Sequence, residues 1–146
     1  MELILRKAEP QDLEALDQVM LVISDNKADP EKAAALLRHI SGDPQKYLLV
    51  AVDPETGTLC GSLLGVVFED ICDTCRPILL VENVAVLEAY QGRGVGRRMF
   101  QEVERWAKEE WDCHYEILVS GNQRTGAHQF YRALGFDEVK GFKKYL

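Results

Sequence analysis

Residues 91–98 read Gln-Gly-Arg-Gly-Val-Gly-Arg-Arg, and their chemistry points to an anion. Gly92, Gly94 and Gly96 alternate, so every second position lacks a Cβ and the main chain can approach a ligand closely. The segment lies between an apolar run ending at Val86 and a stretch of helical periodicity over 95–110, carried by Met99, Val103, Trp106 and Ala107. A helix start offers unbonded N–H groups and a partial positive charge, which together suit phosphate oxygens. Arg93, Arg97 and Arg98 crowd that start, while Glu102, Glu104, Glu109 and Glu110 fill the later turns. Both sets oppose the helix macrodipole, at about 0.3–1 kcal/mol per exposed charge. A polyanion bound at the helix start would offset the arginine share of this cost and leaves the glutamates unexplained. Two familiar phosphate loops fail on spacing. A P-loop ends in Gly-Lys-Ser/Thr, where this chain has Gly96-Arg97-Arg98. A dinucleotide fingerprint needs glycine three residues after Gly94, where Arg97 stands.

The cysteines offer less. Cys72-Asp73-Thr74-Cys75 is a single C-x-x-C, and the remaining Cys60 and Cys113 form no second pair at ligand spacing. A structural zinc site usually needs four ligands. A redox motif would sit at a helix start, whereas Pro77 and a strand-like run follow here. Reduced thiols and no metal are therefore expected.

The elements that must position the loop follow from periodicity. Residues 3–6 read as a short first strand. Pro10 suits the first turn of a helix carrying Leu13, Leu16, Val19 and Met20 on one face. Asp29-Pro30 is an N-cap with proline behind it, and Gly42 is a stop for that second helix. Residues 47–52 and 59–68 predict an antiparallel hairpin around the turn Asp53-Pro54-Glu55-Thr56-Gly57. Polar residues 69–77 lead to a buried-type strand over 78–86, broken only by Glu82 and Asn83. After the long helix come a strand over 115–120, a helix over 125–134 ended by Gly135, and a mostly strand-like tail over 136–146 with a break at Gly141. The predicted order is β-α-α-β-β-β-α-β-α-β, in the α/β or α+β range and in one domain over 1–146.

Composition agrees. The chain has 146 residues and a formal net charge of -7. An acidic surface repels nucleic acid and anionic membrane. No apolar run approaches the roughly 20 residues that span a bilayer. Met1-Glu2-Leu3-Ile4-Leu5-Arg6 lacks the order of a signal peptide, so a cytoplasmic location is expected.

At these residues the chain resembles the GNAT superfamily of N-acetyltransferases. Gln91-Gly92-Arg93-Gly94-Val95-Gly96 matches the family signature Q/R-x-x-G-x-G/A. Val81-Glu82-Asn83-Val84-Ala85-Val86 looks like the strand leading into it. Asn122, with Phe130-Tyr131-Arg132-Ala133-Leu134-Gly135-Phe136, looks like the second acetyl-CoA segment. The resemblance implies a mixed, mostly antiparallel sheet of six to seven strands flanked by about four helices and splayed after the fourth strand. It implies an acetyl-CoA-dependent N-acetyltransferase acting by direct attack in a ternary complex.

Site roles follow by position. The backbone of Val84 and Val86, flanking Ala85, would bond the pantetheine arm like an added strand. Amides of Gln91, Gly92, Arg93, Gly94, Val95 and Gly96, with Arg97 and Arg98 just after, would hold the pyrophosphate. Asn122 resembles the asparagine that contacts the cofactor arm near the split.

Tyr131 resembles the general acid, since attack on a thioester expels a thiolate that a phenol can protonate. On periodicity alone Tyr131 reads as a core residue, because it shares a face with Ala127, Phe130 and Leu134; the catalytic role is what the resemblance adds. An alkyl ammonium must lose a proton before attack, and Glu82 is the leading base. A carboxylate in an apolar strand is costly to bury, and burial would raise its pKa. Glu82 could instead pair with an arginine or accept backbone bonds where the sheet opens. Glu116, His114 and His128 are weaker candidates.

The acceptor end would comprise residues 22–42 and 69–77. Asp25, Asp29, Glu69, Asp70 and Asp73 there suggest a cationic small-molecule or peptide amine, or simply a solvated acidic loop. Residues 142–146 are expected to pair with the chain's own sheet or with a partner protomer, which leaves a homodimer open. Alternatives are a non-catalytic acyl-CoA-binding or sensing module and an interaction domain without cofactor.

Overall fold

Local chemistry sets the starts of the N-terminal helices. In a computed structural model describing residues 1–146, Pro10–Asp12 form a short 3-10 turn that runs into α1 (Leu13–Met20). Asp12 is tied by two hydrogen bonds, 2.7 and 3.0 Å, from the Arg6 guanidinium at the end of β1 (Ile4–Lys7). The bonded guanidinium holds the Asp12 carboxyl below its ordinary range. α2 (Pro30–Ser41) starts as its sequence predicts: Asp29 accepts the Lys32 N–H at 3.0 Å and Pro30 takes the first helical position.

The sheet is ordered β1-β2-β3-β4-β5. β2 (Lys46–Val52), β3 (Leu59–Phe68) and β4 (Ile78–Val86) pair antiparallel in sequence, and β1 joins β2 in the same sense. β5 (Tyr115–Ile117) runs parallel to β4 after the crossover helix α3 (Val95–Trp111). α4 (Thr125–Ala133) follows. The period-2 pleat divides β2 between two cores. Leu49 and Ala51 face α3, where Met99, Phe100, Val103 and Trp106 are buried with Leu63, Leu79 and Val81. Val50 faces the other way, onto Leu16, Val19 and Leu37 of α1 and α2. Each fully buried side chain of this size contributes roughly 1.5–3 kcal/mol. No helix is long and apolar enough to cross a membrane.

Two of the α3 glutamates also acquire partners. Glu102 accepts from the Tyr47 hydroxyl at 2.9 Å and from Arg105 at 2.7 Å, and Arg105 reaches Glu109 at 2.8 Å. These contacts offset their unfavourable placement along the helix.

The sheet has five strands, not six to seven. The tail over 136–146 forms none, and the strand expected over 115–120 ends at Ile117. An alternating pattern makes a strand only where a neighbour supplies a ladder. Phe136 instead packs into an aromatic cluster, and Val139 and Phe142 stand 74% and 92% exposed.

The opening after the fourth strand is present. β4 pairs with β5 only from Ile78 to Leu80, so that edge of β4 is free over 81–86. The opposite edge is irregular there as well. Ser62 pairs with Ala85 but Leu64 with Glu82, and Asn83 takes φ 55°. This is a bulge, and asparagine tolerates its left-handed conformation better than most residues.

β5 meets α3 through two acids. Glu116 faces Glu104, and its Oε1 is buried without a partner. Burial first, and then Glu104, push the Glu116 carboxyl up to about 9, with Lys108 opposing. The unfolded chain loses that proton near 4.3. Between these values the folded state binds more protons, so this contribution is full below the lower value and is lost as pH rises through the upper one. We expect the melting temperature to fall from pH 5 to pH 9 and Glu116→Gln to flatten that slope. Equal slopes in the two chains would remove Glu116 from the linkage.

Candidate active site

The glycine loop leaves its donors free. Gly92 and Gly94 take φ 75° and 83°, a region that costs any residue with a Cβ. Gly94 is the N-cap of α3 and no side chain caps that end. The Gln91 amide, expected to serve the pyrophosphate, is spent on the Glu88 carbonyl at 3.2 Å, and the next N–H to find an acceptor is Arg98, which bonds the Gly94 carbonyl at 3.1 Å; the amides of residues 92–97 donate to nothing in the chain. A Cβ on Gly92 or Gly94 would meet nothing within 4 Å, so open space lies before the loop. Charge-assisted hydrogen bonds from such amides suit a diphosphate. Gly96 serves a different purpose. A Cβ there would sit 2.9 Å from Cζ of Phe130, so this glycine lets α4 approach α3.

Three side-chain contacts brace the loop. Tyr90 donates its hydroxyl to Asp53 Oδ2 at 2.8 Å, and that bond is the main reason the Asp53 carboxyl lies below its ordinary value. The Arg93 guanidinium stacks on the Tyr90 ring at 4.7 Å. Gln91 Nε2 donates to the Val86 carbonyl at 3.0 Å. Gln91 is thus an internal brace, and the Val86 carbonyl, expected to be open to the cofactor arm, is already engaged. Arg98 donates to the Met1 carbonyl at 3.3 Å. Val95 is buried and has only its amide to offer, while Arg97 is exposed.

Where β4 and β5 part lies a cleft of about 190 Å3, lined by Val81, Glu82, Asn83, Val84, Tyr131 and Arg124, with Ile23, Leu118 and Val119 closing it. Tyr131 is half-buried and its hydroxyl has no partner in the chain; burial pushes the phenol above its ordinary pKa, Arg124 pulls it down and Glu82 pushes it up. α4 buries no residue fully. It is seated by aromatic edges instead: Phe100 meets Phe130, Tyr131 and Phe136 at 6.0, 6.0 and 5.8 Å.

Several expectations need correction. Glu82 is exposed, not buried, because the bulge turns Glu82 and Asn83 out of the strand and into the cleft. Asn122 is exposed in the turn before α4 and is not part of the cleft wall; Arg124, the N-cap of α4, stands there instead. Arg124 is a poor capping residue, and that misfit was the available signal. Glu116 and His114 lie against α3, in a separate hollow. His128 bonds the Gly121 carbonyl at 2.8 Å and staples its own loop. Asp25, Asp29, Glu69, Asp70 and Asp73 are outside the cleft wall. Asp29 caps α2 and Asp70 accepts from the Cys72 amide. Cys72 and Cys75 are exposed free thiols. The brace from Asp53 to Tyr90 had no signal in the sequence.

A family model described as the Acetyltransferase (GNAT) family matches residues 11–136. The chain is 38% identical over 58 residues to tRNA uridine(34) acetyltransferase of Methanocaldococcus jannaschii, a match covering 39% of this chain and 10% of that protein. It is 28% identical over 69 residues to aminoglycoside N(6')-acetyltransferase type 1 of Salmonella typhimurium, covering 47% and 46%. The chain therefore spans less than half the length of either relative. Among solved structures, a provisionally named acetyltransferase from Agrobacterium tumefaciens str. C58 superposes with TM-score 0.86 at 28% identity, over 98% of this chain and 99% of that one.

The contact of Gly96 with Phe130 generates a prediction. Gly96→Ala should cost about 1–3 kcal/mol in urea unfolding through overpacking, and adding Phe130→Leu should recover part of it. Additive effects of the two changes would show that the glycine is not there for α4.

Proposed function

Because this chain belongs to the GNAT acetyltransferase family, we propose that it moves an acetyl group from acetyl-CoA to a primary amine of a small molecule or peptide by direct attack. The observation that carries this reading is the run of unbonded amides over 92–97 at the start of α3, facing open space. Acetyl-CoA supplies the acetyl thioester, a carbonyl carbon open to an amine with a thiolate as leaving group. The amides of Gly92, Arg93, Gly94, Val95, Gly96 and Arg97 hold its diphosphate, with the side chains of Arg97 and Arg98 adding positive charge. The edge of β4 that β5 leaves free, at Val84 and Ala85 and with the Val86 amide but not its carbonyl, which Gln91 holds, receives the pantetheine arm as an added strand would. Asn122, in the turn before α4, is assigned the contact with that arm on its match to the family pattern alone.

Tyr131 and Glu82 divide the proton traffic. The Tyr131 phenol, held above its ordinary pKa mainly by burial, keeps its proton through neutral pH and delivers it from Oη to the departing sulfur. Glu82 takes a proton from the incoming ammonium, directly or through water. Its place in the cleft beside Tyr131, rather than burial, recommends it. The acidic surface fits a cytoplasmic enzyme working on amines and not on nucleic acid. A homodimer formed through the tail is compatible with the exposed Phe142 and Tyr145.

An acyl-CoA-binding module without transfer is the second reading, favoured by the exposure of Glu82. Thiol release from acetyl-CoA across an amine panel separates the two, since a sensor binds the cofactor and acetylates nothing. Tyr131→Phe should lower kcat by about 10²–10⁴-fold while acetyl-CoA affinity holds; unchanged turnover removes Tyr131 from the mechanism. Glu82→Gln should lower kcat/KM by about 10²–10⁴-fold, and an unchanged value assigns the base elsewhere.

A further inference from the structure

The walls of the cleft carry one charge of each sign, Glu82 from β4 and Arg124 from the start of α4. Neither takes part in any ion pair or side-chain hydrogen bond of the fold, and what sets Arg124 apart from the other unpaired arginines, Arg38, Arg93 and Arg97, is its place in the cleft wall. The other wall residues are Asn83, Tyr131 and apolar side chains. Arg124 brings no capping chemistry to its position, and its guanidinium is a rigid fork of donors that matches a carboxylate in two-point fashion. A polycationic acceptor would place a second ammonium in a small cleft beside this fixed positive charge, and like charges at short range repel. The acids that suggested a cationic acceptor stand outside the cleft wall.

We infer that the acceptor is a small zwitterionic amine, its carboxylate held by Arg124 and its amino group directed toward Glu82. This rests on the transferase reading above and adds the class of acceptor to it. With about 190 Å3 to share with the acetyl group, the cleft suits a compact acceptor of amino-acid size. Arg124 is then a specificity residue for the acceptor, and the diphosphate loop over 92–97 acts independently of it.

The experiment compares kcat/KM, by free-thiol release, for alanine against alaninamide, for ornithine against putrescine, and for spermidine. Acetyl-CoA affinity is measured in parallel by calorimetry. The carboxylated member of each pair should be favoured at least tenfold over its partner and over spermidine. Arg124→Gln should collapse that ratio toward one through acceptor KM, with the calorimetric Kd for acetyl-CoA moving less than twofold. Arg124→Lys should restore part of the ratio. Preference for putrescine, alaninamide or spermidine in the unaltered chain overturns the inference. So does an Arg124→Gln variant that weakens acetyl-CoA binding and slows all acceptors alike, which would assign Arg124 to the donor. If no amine is acetylated while acetyl-CoA still binds, the acceptor class falls together with transfer and the binding module stands. Loss of binding as well removes the diphosphate reading of the loop.

Discussion

The ring of Phe100 holds the active-site half of the molecule together. It is 1% exposed on α3, and Phe130, Tyr131 and Phe136 all meet it edge-on. α4 has no fully buried residue of its own, so its position depends on this cluster and on the absence of a side chain at Gly96. The same helix α3 presents the unbonded amides at its start. One packed element thus sets both the run of unbonded amides and the tyrosine, and the distance between them is fixed by core packing, which resists small changes in volume.

The second constraint is the behaviour of β4. It pairs normally with β5 for its first residues and then stands alone on that side, while a bulge at Asn83 disturbs its pairing with β3. Continued pairing with β5 would have sealed the edge, and a regular ladder with β3 would have kept Glu82 and Asn83 on alternate faces of the sheet. The broken ladder instead yields free backbone groups and a short polar stretch facing α4. Bulges concentrate where a strand must re-aim side chains.

What was legible in the sequence was local. The alternating glycines announced an approachable backbone, and Asp29-Pro30 matched the cap and first position of α2. The order of elements up to α4 followed from periodicity. Features that depend on distant partners were not legible. Glu82 read as buried because it sits in an apolar run, yet the bulge that exposes it is a property of two strands together. Gly96 looked like a third member of the loop, and its reason is the Phe130 ring from a later helix. Asn122 was singled out by its match to the family pattern, whereas it is Arg124 that stands in the cleft wall. The tail had strand-like alternation but no ladder to join, since β5 ends after Ile117.

The hydroxyl of Tyr90 reaches back to Asp53 in the turn between β2 and β3, and Arg93 lies on its ring. That turn is itself closed by Asp53, which also accepts the Glu55 amide and anchors Gly57 through its carbonyl. The hairpin corner and the glycine loop therefore form a single mechanical assembly across the sheet. Insertions at 53–58, which most surface turns absorb freely, would here be transmitted to the unbonded amides at the start of α3.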